Sequence, residues 1–143
     1  SKKIMLLKEY NVYNLNDIEE IADFIVQLLQ NYNVFLFEGK IGSGKTTLIN
    51  KICHKIGIYD SCSPTFSIIN NYKRFKNKDV FHVDCYRIEE DKEIENIGLL
   101  EILENDSICF IEWPKKIHNF LPNNCVKVKI DLQNNFRKIS IKV

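Results

Sequence analysis

The apolar residues of the first third of the chain change period twice. Ile18, Ile21, Ala22, Ile25, Leu28 and Leu29 fall at i, i+3, i+4, i+7, i+10 and i+11, one stripe of a 3.6-residue helical repeat. Asn16 is the expected N-cap of this helix, with Glu19 reaching back from three residues on. Val34-Phe35-Leu36-Phe37 is then a short unbroken apolar run, the mark of a strand covered on both faces. The helical period returns with Leu48, Ile49, Ile52, Cys53 and Ile56, and Gly57 stands where a left-handed C-terminal cap belongs. Ahead of these, residues 3–7 read as a short strand.

Further on, strands are expected over about 67–75 and over Val80-Phe81-His82-Val83, ending at Asp84. Residues 89–104 predict two helical pieces broken near Gly98. Ile108-Cys109-Phe110-Ile111 is another buried strand, ending at Glu112 and stopped by Pro114. In the tail, Val126, Val128, Ile130 and Leu132 alternate with Lys127, Lys129 and Asp131. After a turn at Asn134-Asn135, Ile139, Ile141 and Val143 alternate with Lys138, Ser140 and Lys142. That is an antiparallel hairpin with one wet face. The elements predict one α/β domain over residues 1–143, with a mixed, mainly parallel sheet, flanking helices and a C-terminal hairpin.

Composition narrows the class. The 143 residues are 45% hydrophobic and 27% charged, as in ordinary folded domains. Twenty basic against 19 acidic residues leave a net charge of +1, which gives no bulk electrostatic case for binding nucleic acid. A local strip of Lys127, Lys129, Arg137, Lys138 and Lys142 reads either as a solvated face or as a tRNA contact. No apolar run approaches the ~20 residues of a membrane span, and no signal peptide is predicted. The five cysteines, an odd number without C-x-x-C spacing, read mostly as reduced thiols serving as small core residues, which fits the cytosol.

The chemistry enters between the first apolar strand and the second helix. Gly39, Gly44, Lys45 and Thr46 satisfy G-x-x-x-x-G-K-[ST], the phosphate-binding P-loop. Glycines let backbone N–H groups turn inward around phosphate oxygens, and the start of the following helix adds its positive dipole end. Ile41, Gly42, Ser43, Gly44, Lys45, Thr46 and Thr47 are therefore the expected ATP-binding residues, with Lys45 on the β- and γ-phosphates and the Thr46 hydroxyl on Mg²⁺.

Such a site needs acidic help at the carboxyl ends of strands. Asp84 and Glu112 both follow apolar strands directly. Each is either a Mg²⁺ residue or simply the first exposed residue past its strand. Thr65, in Ser63-Pro64-Thr65-Phe66, reads as a γ-phosphate sensor or as part of a proline turn. Trp113 packs beside nucleotide or partner, or anchors the core. His82, inside a strand, reads as a satisfied core histidine, and Arg87 as a contact to phosphate or to a carboxylate. A guanine pocket is not found: Asn77-Lys78-Asp79-Val80 has Val where Asn-Lys-x-Asp needs Asp, and Asp-x-x-Gly is absent. Three scattered arginines, Arg74, Arg87 and Arg137, weaken a small-molecule kinase with an arginine-rich lid, which remains an alternative alongside a nucleotide-dependent adaptor that need not hydrolyse ATP.

Five motifs in order, G-K-I-G-S-G-K-T-T at 39–47, S-P-T-F at 63–66, H-V-D-C-Y-R at 82–87, G-L-L-E at 98–101 and I-E-W-P at 111–114, resemble the bacterial TsaE (YjeE) ATPases over essentially the whole chain. The resemblance implies an ATPase that acts with TsaB and TsaD in placing threonylcarbamoyl on the adenosine beside the anticodon of tRNAs reading ANN codons. Its hydrolysis would support repeated cycles, without itself transferring the group. It implies Lys45 and Thr46 as phosphate and Mg²⁺ residues, and Glu112 as the Mg²⁺-linked acid. Thr65 falls in a first switch-like loop and Asp84 in a second, where Asp84 would activate water or support Mg²⁺. Trp113 falls near the nucleotide and partner surface. Lys40 stands where the family often has Asp, adding charge at the loop, and Cys85 where it often has Leu.

Overall fold

A computed structural model describes residues 3–60 and 68–143. The seven strands are β1 (Leu6–Val12), β2 (Val34–Glu38), β3 (Ile69–Phe75), β4 (Lys78–Asp84), β5 (Ile108–Glu112), β6 (Cys125–Leu132) and β7 (Arg137–Lys142). They form one sheet in the order β1-β7-β6-β2-β5-β4-β3. The central pairings, β6 to β2, β2 to β5 and β5 to β4, are parallel, and the outer ones antiparallel. Only β3 and β7 run against the rest, so the sheet is mixed and mainly parallel by strand direction.

The apolar run at β2 is central because a strand flanked on both sides and covered on both faces has no wet position. Its side chains alternate between two cores. Phe35 and Phe37 face helices α1 (Ile18–Leu28) and α2 (Lys45–Lys55). Val34 and Leu36 face α3 (Asp91–Asn96), α4 (Leu99–Glu104) and the 3₁₀ segment Pro114–Phe120. On the first side Ile21, Ala22, Ile25, Ile49 and Ile52 are fully buried, and Phe110 packs its ring against Phe35 and Phe37. On the outside of this layer Glu19 takes both Lys51 and Lys55, at 2.7 and 2.8 Å, tying α1 to α2.

Gly57 does close α2. At φ +89 it and Ile58 return hydrogen bonds to His54 and Cys53, the paired bonds of a Schellman cap. Gly98, at φ +77, separates α3 from α4 as its position in the acidic stretch predicts. Cys53, Cys85, Cys109 and Cys125 are buried and none is in a disulfide. No helix among the described residues is long and apolar enough to cross a membrane.

Four local expectations are corrected. The first strand is Leu6–Val12 rather than 3–7. Its ladder is set by β7, and an edge strand tolerates the polar Lys8, Glu9 and Asn11 that patterning discounts. The cap ahead of α1 is Asn14, not Asn16: a 3₁₀ turn at Leu15–Asp17 precedes the helix, and Asn14 and Asp17 form the reciprocal box. Leu132, in phase with the buried Ile130, is 47% exposed because it lies at the end of its strand, past the cover of the helices. Ser140, placed on the wet face, is buried at 8%.

Candidate functional site

β2 runs straight into the glycine loop, and the loop straight into α2, so the end of a central parallel strand delivers the turn to the carboxyl edge of the sheet. Gly42 and Gly44 take φ +78 and +107, the left-handed region that favours glycine. Gly39 is needed for closeness. A Cβ there would stand 2.6 Å from Ser43 Oγ and 2.8 Å from the Ile130 carbonyl oxygen. Ser43 Oγ is itself buried without a hydrogen-bond partner among the described residues.

Lys45 is 5% exposed. Its ammonium donates to the carbonyls of Gly39 and Lys40 and lies 4.1 Å from the centroid of the Trp113 ring. Burial holds the ammonium below its ordinary pKa, against the opposing pull of the Glu112 and Asp84 carboxylates. A cation kept in a dry loop on weak neutral acceptors is suited to exchanging them for phosphate oxygens.

The Thr46 hydroxyl donates to the carboxylate of Glu112, with Oγ1 at 3.1 Å from Oε1 and 3.2 Å from Oε2. Glu112 is not the first exposed residue past its strand: it is 4% exposed. Asp84 is exposed, and its Oδ1 accepts the Tyr86 amide at 3.0 Å. The parallel register pairs Asp84 with Glu112, so the two strand-end carboxylates stand side by side. A hydroxyl and a carboxylate converging at one point are hard oxygen donors of the kind Mg²⁺ takes, and the set fits that ion. His82, read as a satisfied core residue, is satisfied by the site: Nε2 is 2.6 Å from Glu112 Oε2 and Nδ1 is 3.1 Å from the Tyr72 hydroxyl.

A cavity of about 470 Å³ opens over the loop. It brings together Ile41, Gly42, Ser43, Gly44, Lys45, Thr46 and Thr47 with Asp84, Glu112 and Trp113. Trp113 takes a left-handed backbone (φ +58) and packs its half-buried ring 5.0 Å from that of Tyr86. Thr65 and its Ser63-Pro64-Thr65-Phe66 segment lie outside the described residues.

The far wall of the cavity was not read from the chain. Val12, Leu15, Ile18 and Ile139 supply an apolar side, and Arg137 enters beside them. Of the basic strip, Arg137 alone is corrected, while the lysines keep partly exposed side chains. Arg137 faces the cavity near Gly44, Lys138 pairs with Glu9 at 3.2 Å, and Lys129 lies 4.0 Å from Asp131. The signal was present: Arg137 is in phase with Ile139 and Ile141, on the buried side of the alternation.

A buried strand, a glycine loop closing on Lys45 and Thr46, and an apolar-walled cavity above them define a P-loop nucleotide-binding protein. The model of one family, described as threonylcarbamoyl adenosine biosynthesis protein TsaE, matches residues 12–139, and the chain belongs to that family. It is 34% identical over 137 residues to the tRNA threonylcarbamoyladenosine biosynthesis protein TsaE of Rickettsia typhi, covering 92% of this chain and 94% of that protein. The protein of the same name from Haemophilus influenzae is 30% identical over 125 residues, covering 86% of this chain and 78% of its own. The crystal structure of Bacillus subtilis YdiB shares the fold, with a TM-score of 0.75 at 23% identity, covering 100% of this chain and 88% of that one.

Proposed function

We propose that this chain, acting as one domain, is the Mg²⁺-dependent ATPase subunit of the cytoplasmic tRNA threonylcarbamoyladenosine modification system, working with TsaB and TsaD. The observation that carries the reading is the Thr46–Glu112 contact: residues 66 positions apart place a P-loop hydroxyl and a buried carboxylate at one point. In this reading the amides of residues 41–47 wrap the phosphates, and Lys45 leaves the Gly39 and Lys40 carbonyls for the β- and γ-phosphates. Thr46 and Glu112 hold Mg²⁺, which when bound neutralises charge on the transferring phosphoryl group. Asp84, exposed at the cavity, orients the attacking water, and the role assigned to Thr65 is that of γ-phosphate sensor. Trp113 walls the nucleotide site next to Lys45.

Partnership is supported by family membership and by the rim of the cavity. Leu15 and Ile41 are 67% and 69% exposed there, and Tyr86 48%. Exposed apolar groups around a nucleotide site suit a partner that covers it. The protein is therefore expected to hydrolyse ATP slowly alone and faster when covered.

The test is ATP hydrolysis with Mg²⁺, alone and with purified TsaB–TsaD and tRNA. Stimulation by the pair is expected. Turnover indifferent to it removes the partner assignment and directs the search to a metabolite acceptor, as for a kinase. Glu112→Gln is expected to bind nucleotide and fail to turn over. Full tRNA modification by that variant would make the chain an adaptor instead.

A further inference from the structure

Tyr72, His82 and Glu112 lie in a row across three adjacent strands. The register sets His82 opposite Asn70 on β3 and opposite Phe110 on β5. Tyr72 and Glu112 are therefore its diagonal neighbours, all on the sheet face that α2 covers. The row ends on the α2 hydroxyl of Thr46. Its inner members are dry, with His82 7% and Glu112 4% exposed. A carboxylate so buried costs free energy unless hydrogen bonds replace its water. A carboxylate only accepts, so His82 Nε2 carries the hydrogen in the 2.6 Å contact to Oε2. The Tyr72 hydroxyl, 3.1 Å from Nδ1, fixes the other end of the ring.

We infer that His82 is a positioning residue for the Mg²⁺ acid: it pins Oε2 of Glu112 and leaves Oε1, whose hydrogen-bond partner among the described residues is Thr46, aimed at the metal position. This rests on the reading of Glu112 as a Mg²⁺ residue. Without His82 the carboxylate can rotate between two equivalent contacts with Thr46, since Oγ1 is almost equidistant from both oxygens. The arrangement is the outer-shell logic of metal sites, in which a group that touches the ligand and not the ion sets the ligand's orientation. His82 touches neither nucleotide nor metal in this role. It sets how much Mg²⁺ the site needs, and leaves nucleotide binding without Mg²⁺ as it is.

The test is Mg²⁺ titration of nucleotide binding by the full chain, followed by fluorescence of Trp113, the one tryptophan. Two substitutions separate donor from filler. Gln places its amide nitrogen about where His places Nε2, and Leu fills the space without a donor. His82→Leu is expected to raise the half-saturating Mg²⁺ concentration about 10-fold or more, the usual cost of losing such a partner. Its ATP affinity in EDTA should match wild type. His82→Gln should recover most of the Mg²⁺ response, and Tyr72→Phe should shift it in the same direction by less. A folded His82→Leu protein with wild-type Mg²⁺ dependence overturns the inference, as does equal loss in the Leu and Gln variants. If His82→Leu does not fold, the Tyr72→Phe and His82→Gln titrations decide, and a wild-type response in Tyr72→Phe together with a lost response in His82→Gln overturns it. Nucleotide binding by the wild-type protein that ignores Mg²⁺ overturns the reading of Glu112 itself, and this inference with it.

Discussion

The ammonium of Lys45 stands 4.1 Å from the centroid of the Trp113 ring. The two residues come from different sides of the site, Lys45 from the first turn of α2 and Trp113 from the residue after β5. Trp113 reaches the lysine because its backbone turns left-handed directly after Glu112. An indole face is a favourable place for a cation partly stripped of water, so Trp113 holds the lysine in the loop while leaving its three hydrogens for oxygen acceptors.

Lys45→Ala removes the cation expected to meet the phosphates. A hydrogen bond to a charged group contributes about 1.5–3 kcal/mol. Nucleotide affinity should fall roughly 10- to 100-fold, read by Trp113 fluorescence, and turnover should be lost. ATPase activity equal to wild type would sink the P-loop reading.

Arg137→Ala tests the wall of the cavity contributed by the C-terminal strand. Arg137 lines the cavity and has no ion-pair partner among the described residues. The expectation is a rise in KM for ATP of about 10-fold, the equivalent of ~1.4 kcal/mol, with kcat little changed. Arg137→Lys should fall between. An unchanged KM would return Arg137 to the solvated strip.

Gly39→Ala puts a methyl group 2.6 Å from Ser43 Oγ and 2.8 Å from the Ile130 carbonyl. The second neighbour is backbone and cannot rotate away. Overpacking of this kind costs about 1–3 kcal/mol, to be read as a lower midpoint in urea. Because the loop must shift, ATP binding should weaken too. A variant as stable as wild type would show that β6 yields at this point.

Burial pushes the Cys109 thiol from its ordinary 9.0 up to about 12. The folded state then holds the thiol proton more tightly than the unfolded state. That contribution is fully present below about pH 9 and is lost as pH rises from 9 towards 12. Stability of the wild-type protein should fall over that range by up to about 1.4 kcal/mol per pH unit more steeply than that of Cys109→Val. Parallel curves would show that the thiol is not protected.

Much of the frame was legible in the chain because it rests on local rules. The periods of 3.6 and 2, the cap at Gly57, the break at Gly98 and the glycine spacing of the loop each depend on residues within about one helical turn of one another. Lys45 and Thr46 follow from the loop pattern alone. What patterning missed is set by neighbours far along the chain. The polar first strand exists because β7 pairs with it. The 3₁₀ turn moved the cap to Asn14.

The sequence by itself determined that a nucleotide loop sits between a buried strand and an amphipathic helix, and that acids end two other strands. The strand ends alone left both acids open, and only the resemblance to the TsaE ATPases singled out Glu112; nothing along the chain showed how either meets the loop. The parallel register of β4 on β5 and of β5 on β2 decided that, setting Asp84 beside Glu112, Glu112 against Thr46 and His82 behind both. Strand order is a property of the packed sheet. It follows from which faces bury together, and the spacing along one strand carries no record of its neighbour.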